Sequence, residues 1–204
     1  MGTTYLDVEA AVRHLRRAEP RLHPLIERYG PPRLRRKRNS FHALAHSIIY
    51  QQLSGKAAQT IYKRFLQLFP TRSFPSPEAV HAMPISRLRS AGISRQKATY
   101  LHILAQTYIR GIIKPRTFGQ MSDAEIKSVL TQLKGIGPWT ADMFLMFSLN
   151  RPDILPVGDL GIQKGMQRLY QLPTLPDATD MRRLASPWQP FRSAGSWYLW
   201  RLVD

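Results

Sequence analysis

Apolar residues recur at the spacing of an α-helix along almost the whole chain, and this feature restricts the fold most. From Phe41 to Ile49 they stand at positions i, i+3, i+4, i+7 and i+8, which places them on one helical face. The same pattern continues from Ala58 to Phe69. No alternating apolar–polar stretch of useful length indicates a β-strand. The sequence therefore predicts an all-α fold.

Local capping signals predict where several helices begin and end. Ser54-Gly55 interrupts the pattern between the first two apolar stripes. Ser76-Pro77-Glu78 combines an N-cap residue, a first-turn proline and a first-turn acid. Ser122-Asp123-Ala124-Glu125 has the spacing of a capping box. A further helix is predicted from about Arg95 to Arg110.

The charge of the chain points to a polyanionic partner. Its 204 residues carry a formal net charge of +17, and counterion release makes nucleic acid the natural partner of such a surface. A solvated basic face or a protein that binds anionic membranes would show the same balance. A cluster of bases lies at residues 33–38. From Phe41 to Gln120 there is one acid, Glu78, beside eleven bases: Lys56, Lys63, Arg64, Arg72, Arg87, Arg89, Arg95, Lys97, Arg110, Lys114 and Arg116.

Cysteine usage and hydropathy exclude several classes of protein. The chain has no cysteine, which excludes disulfide scaffolds, thiolate zinc sites, thiol nucleophiles and cysteine-ligated iron–sulfur clusters. No apolar stretch approaches the roughly 20 residues of a membrane span, and no signal peptide opens the sequence. We therefore expect a soluble cytoplasmic protein, associated with the nucleoid if bacterial, that does not bind membranes.

The most specific motif is Leu133-Lys134-Gly135-Ile136-Gly137-Pro138-Trp139-Thr140-Ala141. The helix that starts at Ser122 runs into Gly-Ile-Gly, and Pro138 suits the first position of the next helix. The glycines allow positive φ around an isoleucine that enters the core. Backbone N–H groups at such a helix start favour an oxyanion, which predicts a phosphate site without sequence specificity. A simple tight turn between two packed helices is the alternative.

An acid stands at the end of an apolar loop downstream of the hairpin. Asp159 stands at the end of Ile154-Leu155-Pro156-Val157-Gly158, directly before another helical stretch. The position suits an N-cap, where the backbone N–H groups and the helix dipole hold a carboxylate ionised. The same anion would stabilise a deoxyribose that becomes positive as its base departs. The two roles are compatible.

These motifs together resemble the helix-hairpin-helix DNA glycosylase superfamily. The hairpin with Asp159 twenty residues after Trp139 is most similar to the DNA-3-methyladenine glycosylase II family, and residues 48–54 and 188–200 are also similar. The resemblance extends from about Phe41 to Trp200. It implies a single domain over 1–204, with two helical subdomains, an active-site cleft between them and the hairpin motif at about 122–149. The N-terminal β-rich domain of longer members is not expected.

The resemblance also implies roles for individual residues. Asp159 would be the catalytic carboxylate, which activates water or stabilises the sugar cation. The residues around the excised base would be Trp139, Trp200, Met143 and Tyr50. Met143 stands where relatives have an aromatic residue. A tryptophan in an apolar helix usually belongs to the hydrophobic core, and we expect this of Trp197. The backbone carbonyls of Thr131, Leu133 and Ile136 would hold Na⁺ or K⁺ against a DNA phosphate. Gln52 would fill the gap left by a flipped base. The residues expected to contact DNA are Gln51, Gln52, Leu53, Ser54, Lys134, Gly135, Gly137 and Thr140.

The implied activity is monofunctional excision of alkylated purines, of the 3-methyladenine and 7-methylguanine type, from double-stranded DNA in base excision repair. Lyases of the superfamily have a Schiff-base lysine where this chain has Trp139, so no strand cleavage is expected. We expect a monomer with no required cofactor and no iron–sulfur cluster, and no metal site at the six histidines. A glycosylase for other damaged or mismatched bases and a non-catalytic helix-hairpin-helix DNA-binding module are the alternatives.

Overall fold

The computed structural model describes residues 5–34, 39–53, 55–70 and 73–203. Within these ranges it contains no β-strand, and the predicted all-α fold is confirmed. Among the residues that the structure describes, three short 3₁₀ turns join the helices, at Pro20–Leu22, Pro115–Thr117 and Ser186–Trp188. The α-helices in the described part are α1 (Val8–Ala18), α2 (His23–Tyr29), α3 (Ser40–Tyr50), α4 (Gly55–Gln67), α5 (Pro77–Ala82), α6 (Ile85–Ser90), α7 (Arg95–Ile109), α8 (Asp123–Thr131), α9 (Pro138–Phe147), α10 (Leu160–Tyr170), α11 (Ala178–Leu184) and α12 (Arg192–Val203).

The capping residues act as the sequence indicates. The Ser76 hydroxyl accepts from the Ala79 N–H, with Pro77 in the first turn of α5. Ser122 and Glu125 form a reciprocal capping box at the start of α8. Each of these caps provides an acceptor for N–H groups that have no partner inside the helix.

The end of α3 differs from the prediction. The helix stops at Tyr50 rather than at Ser54-Gly55, and Gln51 has ψ of 135°, which is not helical. Gln52 then has a positive φ of 54°. Ser54 itself lies outside the described residues. The earlier end has a long-range cause, described with the site below.

The chain forms two compact units, and the boundary between them falls inside α9. Unit 1 comprises residues 1–36 and 145–204. Helices α10 and α12 pack against each other, and α1 and α2 pack on α12. The core includes Trp188, whose position could not be predicted, and Tyr198, whose hydroxyl donates to the Gly30 carbonyl at 2.8 Å. Trp197 is only partly buried, packed against this core.

Unit 2 comprises residues 37–144. Helices α3, α5 and α6 pack around α7, and α4 packs on α3. The apolar stripe predicted on the first of these helices is fully buried, since Leu44, Ile48 and Ile49 have no exposed area. The expectation of a single domain over 1–204 stays a prediction. Among the described residues, no helix is both long and apolar enough to cross a membrane.

Candidate active site

Asp159 is the N-cap residue of α10. Its Oδ1 accepts the Ile162 N–H at 2.9 Å, so the predicted capping role is confirmed. The indole Nε1–H of Trp200 on α12 donates to the same oxygen at 3.0 Å. Two N–H donors and the positive end of a helix dipole thus hold the carboxylate in one orientation.

The space around this carboxylate is tight. A Cβ atom at Gly161 would lie 3.0 Å from Asp159 Oδ1 and 3.0 Å from Trp200 Cδ1. Trp200 also stacks on Phe147, with ring centroids 5.8 Å apart. The glycine lets the backbone of α10 approach the indole, and the stacking fixes the ring that carries the donor. Asp159 and Trp200 are both half-buried.

The loop that precedes Asp159 is fastened to the start of α12. The buried Ser193 hydroxyl donates to the Arg151 carbonyl at 2.7 Å and accepts the Ile154 N–H at 2.9 Å. Arg192 makes a two-pronged ion pair with Asp153, at 2.7 and 2.8 Å. The helix that carries Trp200 therefore also positions the loop that carries Asp159. Sequence reasoning gave Arg192 and Ser193 no such role, because both partners lie about forty residues away.

In unit 2, the hairpin between α8 and α9 has the predicted form. Ile136 is buried with 3% exposure, and its N–H donates to the Leu133 carbonyl at 3.0 Å. Gly135 has a φ of +91°, and a Cβ there would lie 2.3 Å from Cδ2 of Tyr100. Gly137 does not need the same freedom, since no heavy atom lies within 4 Å of its Cβ position. Only the first of the two glycines is therefore required by the fold.

An ion pair joins the two hairpin helices. Lys127 Nζ on α8 lies 2.7 Å from Asp142 Oδ1 on α9, and the carboxylate side chain is only 6% exposed. Burial raises the pKa of Asp142, the Lys127 ammonium opposes this, and the nearby Asp123 carboxylate adds to it. This pair was not predicted, although a single acid on an apolar helix is a recognisable signal.

The turn at residues 51–53 is tied to the hairpin. Gln51 Nε2 donates to the Gly135 carbonyl at 2.7 Å. The Lys97 ammonium on α7 donates to the carbonyls of Ile49 and Gln51 at 2.8 and 2.7 Å, which explains the early end of α3. Leu53 is 37% exposed.

The predicted base-pocket residues are divided between the units. Trp139, in the first turn of α9, is 44% exposed, and Met143 one turn later is half-buried. Tyr50 stacks on His46, with centroids 3.9 Å apart. These three belong to unit 2, whereas Trp200 belongs to unit 1. Their contact with a base stays a prediction.

The predicted DNA contacts of the hairpin differ in exposure. Lys134 and Gly137 are exposed, and Gly135 is partly so. Thr140 is 3% exposed, so its side chain does not form part of the exposed surface of the hairpin.

The three carbonyls predicted to hold a monovalent cation follow the end of α8. Thr131 is the last residue of that helix, where carbonyls lose their intrahelical partners. Leu133 and Ile136 lie in the following turn, and carbonyl oxygens suit Na⁺ or K⁺. The residues therefore fit such an ion. Among described residues, no cluster of His, Asp or Glu could hold a metal, and His42 instead bonds the Tyr62 hydroxyl at 2.6 Å.

Most of the predicted basic face is exposed. Lys97 is the exception, since it is half-buried against the carbonyls named above, and Arg72 lies outside the described residues. The other nine are exposed: Lys56, Lys63, Arg64, Arg87, Arg89, Arg95, Arg110, Lys114 and Arg116.

Comparison with known proteins identifies the family of this chain. The family model described as "HhH-GPD superfamily base excision DNA repair protein" matches residues 45–190 of this chain. DNA-3-methyladenine glycosylase 1 of Schizosaccharomyces pombe is 37% identical over 182 residues, which cover 89% of this chain and 80% of that protein. The resemblance seen in the sequence is thereby confirmed.

Solved structures give the same result. The S. pombe 3-methyladenine DNA glycosylase Mag1 in complex with abasic DNA has a TM-score of 0.83 and 35% identity, covering 94% of this chain and 95% of that one. A DNA-3-methyladenine glycosidase from Bacillus halodurans has a TM-score of 0.85 and 34% identity, with 97% and 91% covered. Sequence and fold together show that this chain belongs to the HhH-GPD superfamily of base excision DNA repair proteins.

Proposed function

We propose that this chain is a monofunctional DNA glycosylase that extrudes alkylated purines from double-stranded DNA and hydrolyses their N-glycosidic bond, acting as a monomer. The observation that carries the proposal is the Asp159 carboxylate held by Ile162 N–H and Trp200 Nε1–H. The relatives named 3-methyladenine glycosylases support the choice of substrate.

The carboxylate supplies electrostatic stabilisation. In the proposed reaction the bond between C1′ and the purine nitrogen breaks, and its electron pair leaves with the base. An N3- or N7-alkylated purine is cationic, so this pair neutralises the leaving group and little acid catalysis is needed. The positive charge that develops on the sugar is stabilised by Asp159. Water then adds to C1′ and releases a proton to solvent.

The other residues bind and extrude the base. Backbone N–H groups at the start of α9 would hold a phosphate, and the Thr131, Leu133 and Ile136 carbonyls would hold a monovalent cation that bridges to it. Gln52 would enter the stack in place of the flipped nucleotide. An indole face at Trp139 or Trp200 would gain about 2 kcal/mol from a desolvated cationic base.

Trp139 supports the monofunctional assignment. Strand cleavage by this superfamily needs an amine that forms a Schiff base, and the side chain at this position has none. Lys134 and Lys164 lie near the site in sequence and are exposed, which suits phosphate contact.

The test is release of free base from a duplex with a single 7-methylguanine, scored with alkali-labile sites. Asp159→Asn should reduce release by several orders of magnitude yet stay folded, because asparagine caps a helix as well as aspartate. Asp177→Asn is the matched control, since Asp177 caps α11 in the same way. Undiminished release by Asp159→Asn would refute the role of the carboxylate, and a borohydride-trapped adduct would refute the monofunctional assignment.

A panel of defined lesions separates the alternatives. Release of oxidised, deaminated or mismatched bases in preference to methylated purines would move the protein to another substrate class. DNA binding with no release from any lesion would identify a non-catalytic module.

A further inference from the structure

One face of α7 contacts both segments of unit 2 that are predicted to touch DNA. The Lys97 ammonium donates to the Ile49 and Gln51 carbonyls, at 2.8 and 2.7 Å, where α3 ends. The last carbonyls of a helix lack intrahelical donors and form the negative end of its dipole. Lys97 therefore satisfies two of them with a positive charge and fixes the start of the turn at 51–53.

One helical turn further along α7, Tyr100 supports the hairpin. Its ring lies directly against Gly135, where an added Cβ would be 2.3 Å from Cδ2 and 2.6 Å from Cγ. Its hydroxyl accepts from Gln96 Nε2 at 2.6 Å. Residues three apart on a helix share a face, so Lys97 and Tyr100 present their two contacts side by side.

A third contact links the 51–53 turn to the hairpin. Gln51 Nε2 donates to the Gly135 carbonyl at 2.7 Å, which joins the two segments directly. The turn, the hairpin and α7 are thus linked in a ring, and each segment is held from two directions.

Lys97 differs from the other bases between Phe41 and Gln120 that the structure describes. It is half-buried while the others are exposed, and burial lowers its pKa. Two of the three N–H donors of its ammonium are used by the Ile49 and Gln51 carbonyls, which leaves at most one for a DNA phosphate. Its contacts therefore point to a local role rather than to the basic face.

We propose that Lys97 and Tyr100 are positioning residues that set the spacing between the 51–53 turn and the Gly135 hairpin, so that a phosphate can be held at one while a side chain of the other fills the gap left by an extruded base. The proposal rests on the proposed function for its biological meaning. Its physical basis is that extrusion needs both contacts at the same time, and fixing their spacing in advance removes the entropy cost of bringing them together.

The test compares excision of 7-methylguanine paired with cytosine against excision of the same lesion opposite an abasic site, where little extrusion work remains. Lys97→Met keeps the length of the side chain and removes both hydrogen bonds. We expect kcat to fall about 10- to 100-fold on the paired lesion, as two such hydrogen bonds would give, and about threefold or less on the unpaired one. Arg95→Met on the same helix removes one exposed charge and should leave the ratio of the two rates within about twofold.

A second measurement needs no excision, so it remains decisive if the proposed function fails. A duplex with a tetrahydrofuran abasic site opposite 2-aminopurine reports insertion of a side chain by its fluorescence. At saturating protein, confirmed by anisotropy, Lys97→Met should give a fluorescence change at least about threefold smaller than the wild-type protein, as expected when insertion loses its positioning contacts. Lys97→Gln, which keeps a neutral N–H donor group on a shorter side chain, should be intermediate and carries the test if Lys97→Met does not fold.

Equal slowing of both substrates by Lys97→Met would mean a general loss of structure and would overturn the proposal. The proposal would also be overturned if Lys97→Met left both the ratio of the two excision rates and the 2-aminopurine fluorescence change as they are in the wild-type protein. Absence of any fluorescence change with the wild-type protein would overturn it as well. Absence of base release by the wild-type protein, with the fluorescence difference intact, would refute the proposed function alone.

Discussion

Replacing Trp200 by phenylalanine should slow base release without weakening substrate binding. The indole Nε1–H donates to Asp159 Oδ1 at 3.0 Å, and the ring stacks on Phe147 with centroids 5.8 Å apart. Trp200→Phe removes the donor and leaves an aromatic ring in the stack. The Ile162 N–H still donates to Asp159 Oδ1 at 2.9 Å.

The expected size follows from the lost hydrogen bond. A hydrogen bond to a charged acceptor contributes about 1.5–3 kcal/mol, which corresponds to a roughly 10- to 150-fold lower kcat. KM should change about threefold or less, because the aromatic surface remains. The assay is single-turnover and steady-state release of 7-methylguanine from a duplex.

Trp197→Phe is the matched control, because it is the same substitution on the same helix. Trp197 packs on Tyr198 and under Arg201, with the guanidinium 5.2 Å from the ring centroid. The kcat of the Trp197→Phe variant should stay within about twofold of the wild-type value. An unchanged kcat in Trp200→Phe, with a raised KM, would refute the positioning role and leave Trp200 as a pocket wall alone.

Four further outcomes are expected. Lys127→Met should lower the free energy of unfolding by about 2 kcal/mol or more in urea titration, because the buried Asp142 carboxylate loses its counter-charge; the double variant with Asp142→Leu should recover most of this loss. Gly135→Ala should destabilise by about 2 kcal/mol or more, since its φ is +91° and its Cβ would overlap a ring of α7, whereas Gly137→Ala should cost about 0.5 kcal/mol or less. Burial raises the pKa of the Tyr198 hydroxyl from 10.0 to about 12, so the folded state holds this proton more tightly than the unfolded state does. The contribution of this group to stability is therefore complete below pH 10 and is lost between pH 10 and 12. Tyr198→Phe should flatten that part of the curve of stability against pH. Affinity for duplex DNA should fall about 100-fold or more between 50 and 200 mM salt, as four phosphate contacts would give, and a flat response would count against the basic face.

Features governed by neighbours in sequence could be predicted. Ser76, Ser122 and Asp159 were identified as helix caps because each accepts from an N–H group three residues away. Gly135 was identified for positive φ because a turn between two helices needs it within a few residues.

Features that need distant partners were missed or wrongly predicted. The end of α3 was placed too late because Lys97, which binds its last carbonyls, is more than forty residues away. For the same reason, counting charges placed Lys97 on the DNA-attracting face, although its ammonium is held by the protein itself.

By itself the sequence determined the helical class, the Gly-Ile-Gly hairpin and the place of Asp159 at the start of a later helix, since each depends on contacts within a turn or two of helix. The tertiary structure decided what surrounds these parts: which indole holds the Asp159 carboxylate, which serine fastens its loop, and which lysine ends α3. Those partners are about forty or more residues apart, and no local spacing records them, because packing of whole helices brings them together.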